Sequence, residues 1–314
     1  MIVSIEPIDN RTVESLKSDS IDIIVVERNN QTLSTLKSVS PEVLICRDRD
    51  DIAGIVECCH RLRFIFVVEV GVEELPFDLL LEKGIRVANT GGISTDIMSN
   101  FVLGCILCHS TRLKENIINQ HNSFWKKYQC TESLCDKVLL IVGAGRTGQA
   151  VAEKAKVFGM SIYGVQNTPR PTPFFDKTIT LKEMGSYLRM SDYIVCTLPQ
   201  TPATVGLFDY QIFGEMKSSS VFINISRGSL VDEKGLISAL DDHLFSAAYL
   251  DVFECEPLSS ESPLWQHPKI MITPHQSGRL VGYMDQAMKL FRANYLAYRN
   301  GEVMPNEIDL KKGY

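Results

Sequence analysis

Short apolar runs of β-strand length alternate with amphipathic helical patterns along the N-terminal part of the chain. Four of these runs have the length and composition of strands, namely Ile21–Val26, Glu42–Cys46, Phe64–Val68 and Ile85–Ala88. Strands that alternate with helices are typical of an α/β domain whose sheet is mainly parallel. The pattern therefore predicts a first α/β domain.

A second series of the same kind begins at Val138. Its predicted strands are Val138–Val142, Ser161–Val165, Tyr193–Leu198, Val221–Ile225, Ala248–Val252 and Ile270–Thr273. Helical segments such as Gln149–Phe158, Leu181–Leu188 and Glu233–Leu240 separate them. This number of strands predicts a doubly wound sheet of Rossmann size.

Two longer apolar segments predict helices that connect the domains. Residues Thr95–Asn119 read as one long helix leaving the first domain, and Tyr283–Arg299 reads as a last helix that ends before Asn300 and Gly301. We expect two Rossmann-like α/β domains, one of residues 1–95 plus 281–314 and one of residues 96–280.

Composition and charge exclude several classes of protein. The chain has 314 residues, 45% hydrophobic residues and a formal net charge of -6, with a sequence pI near 5.6. These values argue against disorder and against a nucleic-acid-binding surface. We therefore expect a small-molecule partner and no nucleic acid.

Cysteine usage and the chain start indicate a reducing compartment. The nine cysteines form no disulfide framework, and Cys105 and Cys108 lie in an apolar helical stretch without a second pair to complete a metal site. The segment after Met1 lacks the features of a signal peptide, and no uncharged apolar run approaches membrane-spanning length. These features predict a cytoplasmic protein without a metal site or a membrane partner.

A glycine-rich motif follows the predicted strand Val138–Val142 and opens a predicted helix. Gly143 would permit the tight turn, Gly145 the close approach of a pyrophosphate, and Gly148 the packing of helix on strand. Arg146 and Thr147 complete the loop, where the helix N-terminus faces the anion. The strand before and the helix after the motif predict a dinucleotide site.

Three further segments each place a polar group at or beyond a strand end: Asn224–Gly228, Asp251–Pro257 and Thr273–Gly278. In an open parallel sheet such ends converge on the ligand crevice. Hydride transfer to a 2-keto acid needs an arginine for the carboxylate, a histidine for the proton, and a carboxylate that orients the histidine and favours its protonated form. Arg227, His275 and Glu256 supply this set.

Each of these residues also has an ordinary structural explanation. Arg227 alone would pin a loop, Glu256 alone would cap the turn before Pro257, and His275 alone would be a core histidine with satisfied hydrogen bonds.

In their order along the chain, these motifs resemble the D-isomer-specific 2-hydroxyacid dehydrogenase family. The landmarks are Gly71–Pro76, Asn89–Gly92, Trp125, Gly143–Gly148, Leu198–Pro202, Asn224–Leu230, Asp251–Pro257, Ser262–Trp265, Thr273–Gly278 and Asn306–Tyr314. The resemblance implies a flavodoxin-like substrate (catalytic) domain, a doubly wound NAD(P)-binding domain, and reversible reduction of a small 2-keto acid to a D-2-hydroxy acid. Since no residue follows Tyr314 in the sequence, we expect none of the regulatory domains of some phosphoglycerate dehydrogenases.

The resemblance also assigns roles to individual residues. It implies that Arg227 binds and polarises the keto acid, that Glu256 orients and charges His275, and that His275 is the general acid and base. It further implies a homodimer built largely on Thr95–Asn119. The implied cofactor and substrate contacts are Asp251, Ile225 and Ser226 at the nicotinamide, Leu198, Pro199 and Thr204 on the adenosine side, and backbone N–H groups of the loop Glu69–Gly71, with Val70 and Gly71, at the substrate carboxylate.

The chain departs from an NAD-preferring site after the strand Ser161–Val165. No acid stands there to accept a hydrogen bond from the ribose 2′-OH, and the next residues are Gln166, Asn167, Thr168, Pro169 and Arg170. Arg170, Asn167 and Thr168 offer donors to a 2′-phosphate, which favours NADP over NAD. The alternative is that Gln166 binds the 2′-OH alone and Arg170 is a solvated surface charge.

The predicted substrate loop departs as well, because Glu69 and Val70 stand where relatives carry small residues. A Glu69 side chain that points inward would repel a substrate carboxylate. This leaves a second hypothesis, a nucleotide-sensing, corepressor-like binding module with little turnover. The complete Arg227, Glu256 and His275 set favours the enzyme.

Overall fold

The computed structural model describes residues 1–127 and 130–313. The strands within these ranges are β1 (Ile2–Ser4), β2 (Ile23–Val25), β3 (Val43–Cys46), β4 (Phe64–Val67), β5 (Arg86–Ala88), β6 (Val138–Val142), β7 (Ser161–Val165), β8 (Lys177–Ile179), β9 (Tyr193–Cys196), β10 (Val221–Asn224), β11 (Ala247–Leu250) and β12 (Ile270–Ile272). The helices are α1 (Asn10–Lys17), α2 (Thr32–Val39), α3 (Ile52–Cys58), α4 (Phe77–Glu82), α5 (Thr95–Ser110), α6 (Leu113–His121), α7 (Arg146–Lys156), α8 (Met184–Leu188), α9 (Tyr210–Gly214), α10 (Glu233–Asp241) and α11 (Tyr283–Arg299). The chain divides into two compact units, Met1–Ile93 with Leu280–Tyr314, and Ser94–Arg279.

The first unit is built on a parallel sheet of five strands in the order β2-β1-β3-β4-β5. This is the flavodoxin-like order, and it is confirmed by the pairing. Both faces of the sheet are covered, and all four residues of β4 are therefore apolar and buried. Phe64 and Phe66 face one core with Phe291 of α11, while Ile65 and Val67 face the other. The Phe66 and Phe291 rings lie 5.3 Å apart, edge to face.

The second unit is a parallel sheet of seven strands in the order β12-β11-β10-β9-β6-β7-β8. Counted from β6, this is the doubly wound Rossmann order with one added strand. Leu140 and Val142 of β6 face one core, and Leu139 and Ile141 face the other. The chain order reverses between β6 and β9, so a ligand crevice is expected at the carboxyl ends of these two strands. The predicted α/β fold class is confirmed.

Two strands were missing from the sequence prediction. β1 pairs with β2 and β3 inside the first sheet, and β8 adds to the edge at β7. Each has only three residues, which is too short for a periodicity to emerge from its own sequence. Their strand character comes from pairing with neighbours that are distant in sequence.

The prediction of one long helix over Thr95–Asn119 was wrong. Arg112 has a left-handed backbone conformation with φ 56°, which ends α5 and begins α6 in a new direction. The Arg112 N–H donates to the carbonyl of His109 at 3.0 Å, a tightened last turn. Apolar spacing continues through the break, and neither glycine nor proline marks it, so the sequence pattern does not reveal it.

No helix within residues 1–127 and 130–313 is long and apolar enough to cross a membrane. The cytoplasmic location stays a prediction, as do the exact domain bounds. Tyr314, the last residue of the predicted first domain, lies outside the described residues.

Candidate functional site

The glycine loop after β6 has the geometry that its spacing predicts. Gly143 has φ 120°, and a Cβ there would lie 2.8 Å from the backbone carbon of Thr197. A Cβ on Gly148 would lie 2.2 Å from the Gly143 carbonyl oxygen, so only glycine lets α7 pack on the strand. A Cβ on Gly145 would meet nothing within 4 Å. The space in front of Gly145 is therefore open, as a pyrophosphate requires.

Backbone donors face this open space at the start of α7. The N–H groups of Gly145 and Thr147 have no hydrogen-bond partner in the described part of the chain. Unpaired N–H groups at a helix N-terminus form an anion site. Both the room and the donors fit the pyrophosphate of a dinucleotide.

The loop after β7 holds the residues expected at the adenosine ribose. The Gln166 side-chain nitrogen donates to the Arg170 carbonyl at 3.2 Å and lies 3.3 Å from the Thr172 hydroxyl. Gln166 therefore braces its own loop. Asn167, Thr168 and Arg170 are exposed, and the Arg170 guanidinium forms no ion pair or hydrogen bond with any described residue.

Hydrogen bonds join the ends of β9 and β10. The Ser226 hydroxyl donates to the Leu198 carbonyl, and the fully buried Asn224 binds both the Ser226 N–H and the Arg227 carbonyl. The Thr204 hydroxyl donates to the Pro199 carbonyl at 2.8 Å. These bonds hold Leu198, Pro199, Thr204 and Ser226 in the loops that follow β9 and β10, and Ile225 lies between the bonded residues Asn224 and Ser226.

Arg227 follows β10 in an extended conformation and is half-buried. Its Nη1 donates to the Ser226 carbonyl at 2.9 Å. At the next position a Cβ on Gly228 would lie 1.8 Å from the backbone carbon of Phe253. Glycine therefore lets the Arg227 loop lie directly against the segment that leads to Glu256.

A short hydrogen bond joins His275 to Glu256. The Nδ1 of His275 lies 2.6 Å from Oε2 of Glu256, while the Phe253 N–H donates to Oε1 at 3.0 Å. A carboxylate only accepts, so Nδ1 carries the proton. The other ring nitrogen, Nε2, has no partner within residues 1–127 and 130–313, and the side chain is 49% exposed.

Asp251 organises the turn that carries His275. Its carboxylate accepts from the Thr273 hydroxyl at 2.6 Å and from the N–H groups of Gln276 and Ser277 at 3.0 and 2.9 Å. The residue is 1% exposed. The structure thus gives Asp251 a positioning role that the sequence interpretation missed, and its contact with a nicotinamide stays a prediction.

The backbone of His275 is held in the left-handed region, with φ 48°. A non-glycine residue adopts this conformation only when its surroundings impose it. Here the His275 N–H donates to the Asp251 carbonyl at 2.8 Å. The ring is therefore aimed by the backbone as well as by Glu256.

The predicted substrate loop lies in the first unit, at the carboxyl end of β4. The Asn89 side chain donates to the Val70 carbonyl at 2.6 Å, and the Thr90 N–H donates to the Glu69 carbonyl at 3.2 Å. The N–H groups of Val70 and Gly71 have no partner among the residues that the structure describes. The loop thus keeps backbone donors available for an anion.

Sequence reasoning had singled out the segments but not all the residues that hold them. Asn224, Thr197 and Gly228 position the loops, the Thr197 hydroxyl donating to the Gly143 carbonyl at 2.7 Å. A buried amide at a strand end and a glycine after the arginine were the available signals. In the described ranges no group of three or more His, Cys, Asp and Glu side chains is arranged to hold a metal ion.

Comparisons with known proteins agree with this geometry. The sequence model described as "D-isomer specific 2-hydroxyacid dehydrogenase, NAD binding domain" matches residues 103–277. The glyoxylate reductase/hydroxypyruvate reductase of Mus musculus is 34% identical over 85% of this chain and 84% of its own. The glyoxylate reductase of Thermococcus kodakarensis is 28% identical over 88% of this chain and 85% of its own.

A solved structure gives the same result for the fold. The D-isomer specific 2-hydroxyacid dehydrogenase family protein from Aeromonas salmonicida subsp. salmonicida A449 has a TM-score of 0.81 and 28% identity, covering 98% of each chain. The resemblance drawn from the sequence and the enzyme class are confirmed: this chain belongs to the D-isomer-specific 2-hydroxyacid dehydrogenase family of oxidoreductases.

Proposed function

We propose that this enzyme reduces a small 2-keto acid to a D-2-hydroxy acid, with His275 as general acid and with NADPH as the preferred cofactor. One observation carries the proposal. Glu256 binds Nδ1 of His275 at 2.6 Å and leaves Nε2 unengaged by any described residue, in the unit that also holds the glycine loop. A histidine held in this way is arranged to move a proton.

The side chains divide the chemistry among them. Arg227 carries a fixed positive charge that binds the substrate carboxylate and polarises the keto group. His275 donates the Nε2 proton to the oxygen of the keto group, and Glu256 stabilises the charged ring before transfer. In the oxidation direction His275 accepts the proton from the hydroxyl.

The residues of the second unit fit a dinucleotide. The open space at Gly145 and the N–H groups of Gly145 and Thr147, which no described residue engages, would hold the pyrophosphate, and the loops at Leu198 and Ser226 would hold the remainder. When bound, the nicotinamide supplies or accepts the hydride. Within the first unit, the N–H groups of Val70 and Gly71 are the donors that we propose for a carboxylate.

A direct assay tests the function. The purified protein is given NADPH or NADH with glyoxylate, hydroxypyruvate, pyruvate or 2-ketoisocaproate, and loss of reduced-nicotinamide absorbance is followed. Oxidation of NADPH with any of these acids supports the proposal. Tight nucleotide binding without turnover across the whole panel would contradict it and favour the nucleotide-sensing alternative.

The NADP preference rests on Arg170. Its exposed guanidinium, engaged by no described residue, stands four residues beyond Gln166 where an acid is absent. We expect Arg170→Glu to raise the Kd for NADPH about tenfold to a hundredfold and to leave that for NADH within about threefold. Fluorescence titration measures both constants.

The matched control for this prediction is Lys234→Glu, which makes the same charge change at an exposed residue of α10. It should leave both nucleotide constants unchanged. Equal weakening of NADPH and NADH by Arg170→Glu would mean that Arg170 does not contact a 2′-phosphate.

We also propose a homodimer that uses α6. Leu113 and Ile117 stand one helical turn apart and are 50% and 57% exposed, and no residue of this helix is buried. Lys114 anchors the helix by donating to the carbonyls of Pro268 and Ile270. An ordered helix that leaves large apolar side chains in water is typical of an interface.

Charges on α6 should therefore separate the subunits. We expect the double variant Leu113→Glu/Ile117→Glu to shift the mass measured by light scattering from dimer to monomer, because two charges would be buried without partners. Val157→Glu, at an apolar residue that is 84% exposed, is the control and should stay dimeric. A monomeric parent protein would refute the dimer.

A further inference from the structure

An ion-pair cluster adjoins the predicted substrate loop in the first unit. Arg47 Nη1 and Arg49 Nη2 each lie 3.5 Å from the same oxygen, Oε1 of Glu69. Glu69 directly precedes Val70 and Gly71, whose N–H groups are unengaged by any described residue. The cluster is therefore one residue away from the donors proposed to bind the substrate carboxylate.

The two arginines differ in how firmly they are held. Arg47 is anchored because its Nε donates to Oε2 of Glu6 at 2.8 Å, and the Glu6 side chain is fully buried. Arg49 is 64% exposed at its side chain. Both guanidinium groups stand at the carboxyl edge of the sheet, directly after β3, and Glu69 is the acid that they share.

A carboxylate between two guanidinium groups occupies the place that a second anion would take. An arginine binds a carboxylate or phosphate of a ligand only when its donors are not already used. A 2-oxo acid with a second negative group would have to displace Glu69 and would meet its charge. A 2-oxo acid with a small neutral side chain neither has to displace Glu69 nor is repelled by its charge.

We propose that Glu69 is a specificity-determining residue, which occupies Arg47 and Arg49 and thereby restricts the enzyme to 2-oxo acids without a second anionic group. This inference rests on the proposed function. It predicts that removal of the Glu69 charge turns the two arginines into a binding site for the distal carboxylate of a 2-oxo diacid.

The test compares 2-oxoglutarate with hydroxypyruvate. At about pH 8, where Glu69 is charged, we expect Glu69→Gln to raise the ratio of kcat/KM for 2-oxoglutarate to that for hydroxypyruvate about tenfold, the effect of one charged hydrogen bond. Glu74→Gln, at an exposed residue of the same segment, makes the same change in net charge and should leave the ratio unchanged. In the double variant Glu69→Gln/Arg49→Gln, the ratio should return towards that of the unmutated enzyme.

Protonation of Glu69 provides a test without any mutation. Burial, followed by a hydrogen bond to Asp48, raises the pKa of Glu69 to about 7, against the lowering effects of Arg49 and Arg47. The pKa of Tyr283 in α11 is raised, by burial first and also by the charge of Glu69. Glu69 is neutral below this pKa. The ratio of kcat/KM for 2-oxoglutarate to that for hydroxypyruvate should therefore rise in the unmutated enzyme as the pH is lowered from about 8 to about 6, and it should not change with pH in Glu69→Gln.

The outcomes separate the inference from the function. Parent turnover of hydroxypyruvate tests the proposed function, whereas the substrate ratio tests Glu69. The inference is overturned if a folded Glu69→Gln protein has the same ratio as the unmutated enzyme. It is also overturned if Glu74→Gln raises the ratio by the same factor. If Glu69→Gln does not fold, a flat parent ratio across the same pH range overturns it. Thermal stabilisation by 2-oxoglutarate reports binding even where turnover is absent.

Discussion

Replacing His275 with glutamine should lower kcat about a hundredfold to ten-thousandfold, while the Kd for NADPH stays within about twofold. Glutamine keeps the approximate size of the ring but cannot exchange a proton near neutral pH. The backbone of His275 is held by the Asp251 carbonyl, so the turn should persist in the variant. Reduced-nicotinamide absorbance measures turnover, and fluorescence titration measures nucleotide binding.

His60→Gln is the control, because His60 is an exposed histidine of the first unit outside the proposed machinery. It should retain the parent kcat. Loss of nucleotide binding in parallel with turnover in His275→Gln would show that the site is misassigned, and full turnover would show that His275 does not supply the proton.

Replacing Gly228 with alanine should lower the free energy of unfolding by about 1–3 kcal/mol or more, and kcat/KM should fall with it. The added Cβ would lie 1.8 Å from the Phe253 carbon and 2.4 Å from the Glu254 nitrogen. Both are backbone atoms, which cannot turn aside as a side chain does. The loops that carry Arg227 and Glu256 must then move apart. Urea denaturation and steady-state kinetics measure the two effects.

Gly185→Ala serves as the matched control in the same unit. Gly185 lies in α8, and the nearest atom to its added Cβ is 3.7 Å away, an ordinary contact. This variant should be as stable as the parent or slightly more so, since alanine favours helix over glycine. If Gly228→Ala were equally stable and active, the close approach of the two loops would be wrong.

The dinucleotide loop could be predicted from sequence because its physics is local. Gly143, Gly145 and Gly148 lie within six residues between a strand and a helix. Gly143 and Gly148 are needed for close backbone contacts inside that unit, and Gly145 borders open space. The apolar periodicity around it also predicted most strands of both sheets. The order of those strands followed from the α/β alternation and the resemblance together.

Asp251 shows what the sequence did not reveal. The family resemblance implies a cofactor contact for it, which stays a prediction, and the structure adds that its oxygens accept from Thr273, Gln276 and Ser277. These donors lie more than twenty residues away in sequence. No spacing rule relates them to Asp251, so only the folded chain reveals that it positions His275.

By itself, the sequence determined the fold class and the glycine loop and supplied the residues proposed for the chemistry, because these depend on short-range periodicity and on side-chain type. Only the tertiary structure decided which loops touch at Gly228, where the helix breaks at Arg112, and that Arg47 and Arg49 share Glu69. Those features arise when distant segments pack together, and a packing contact leaves no periodic trace in either segment alone.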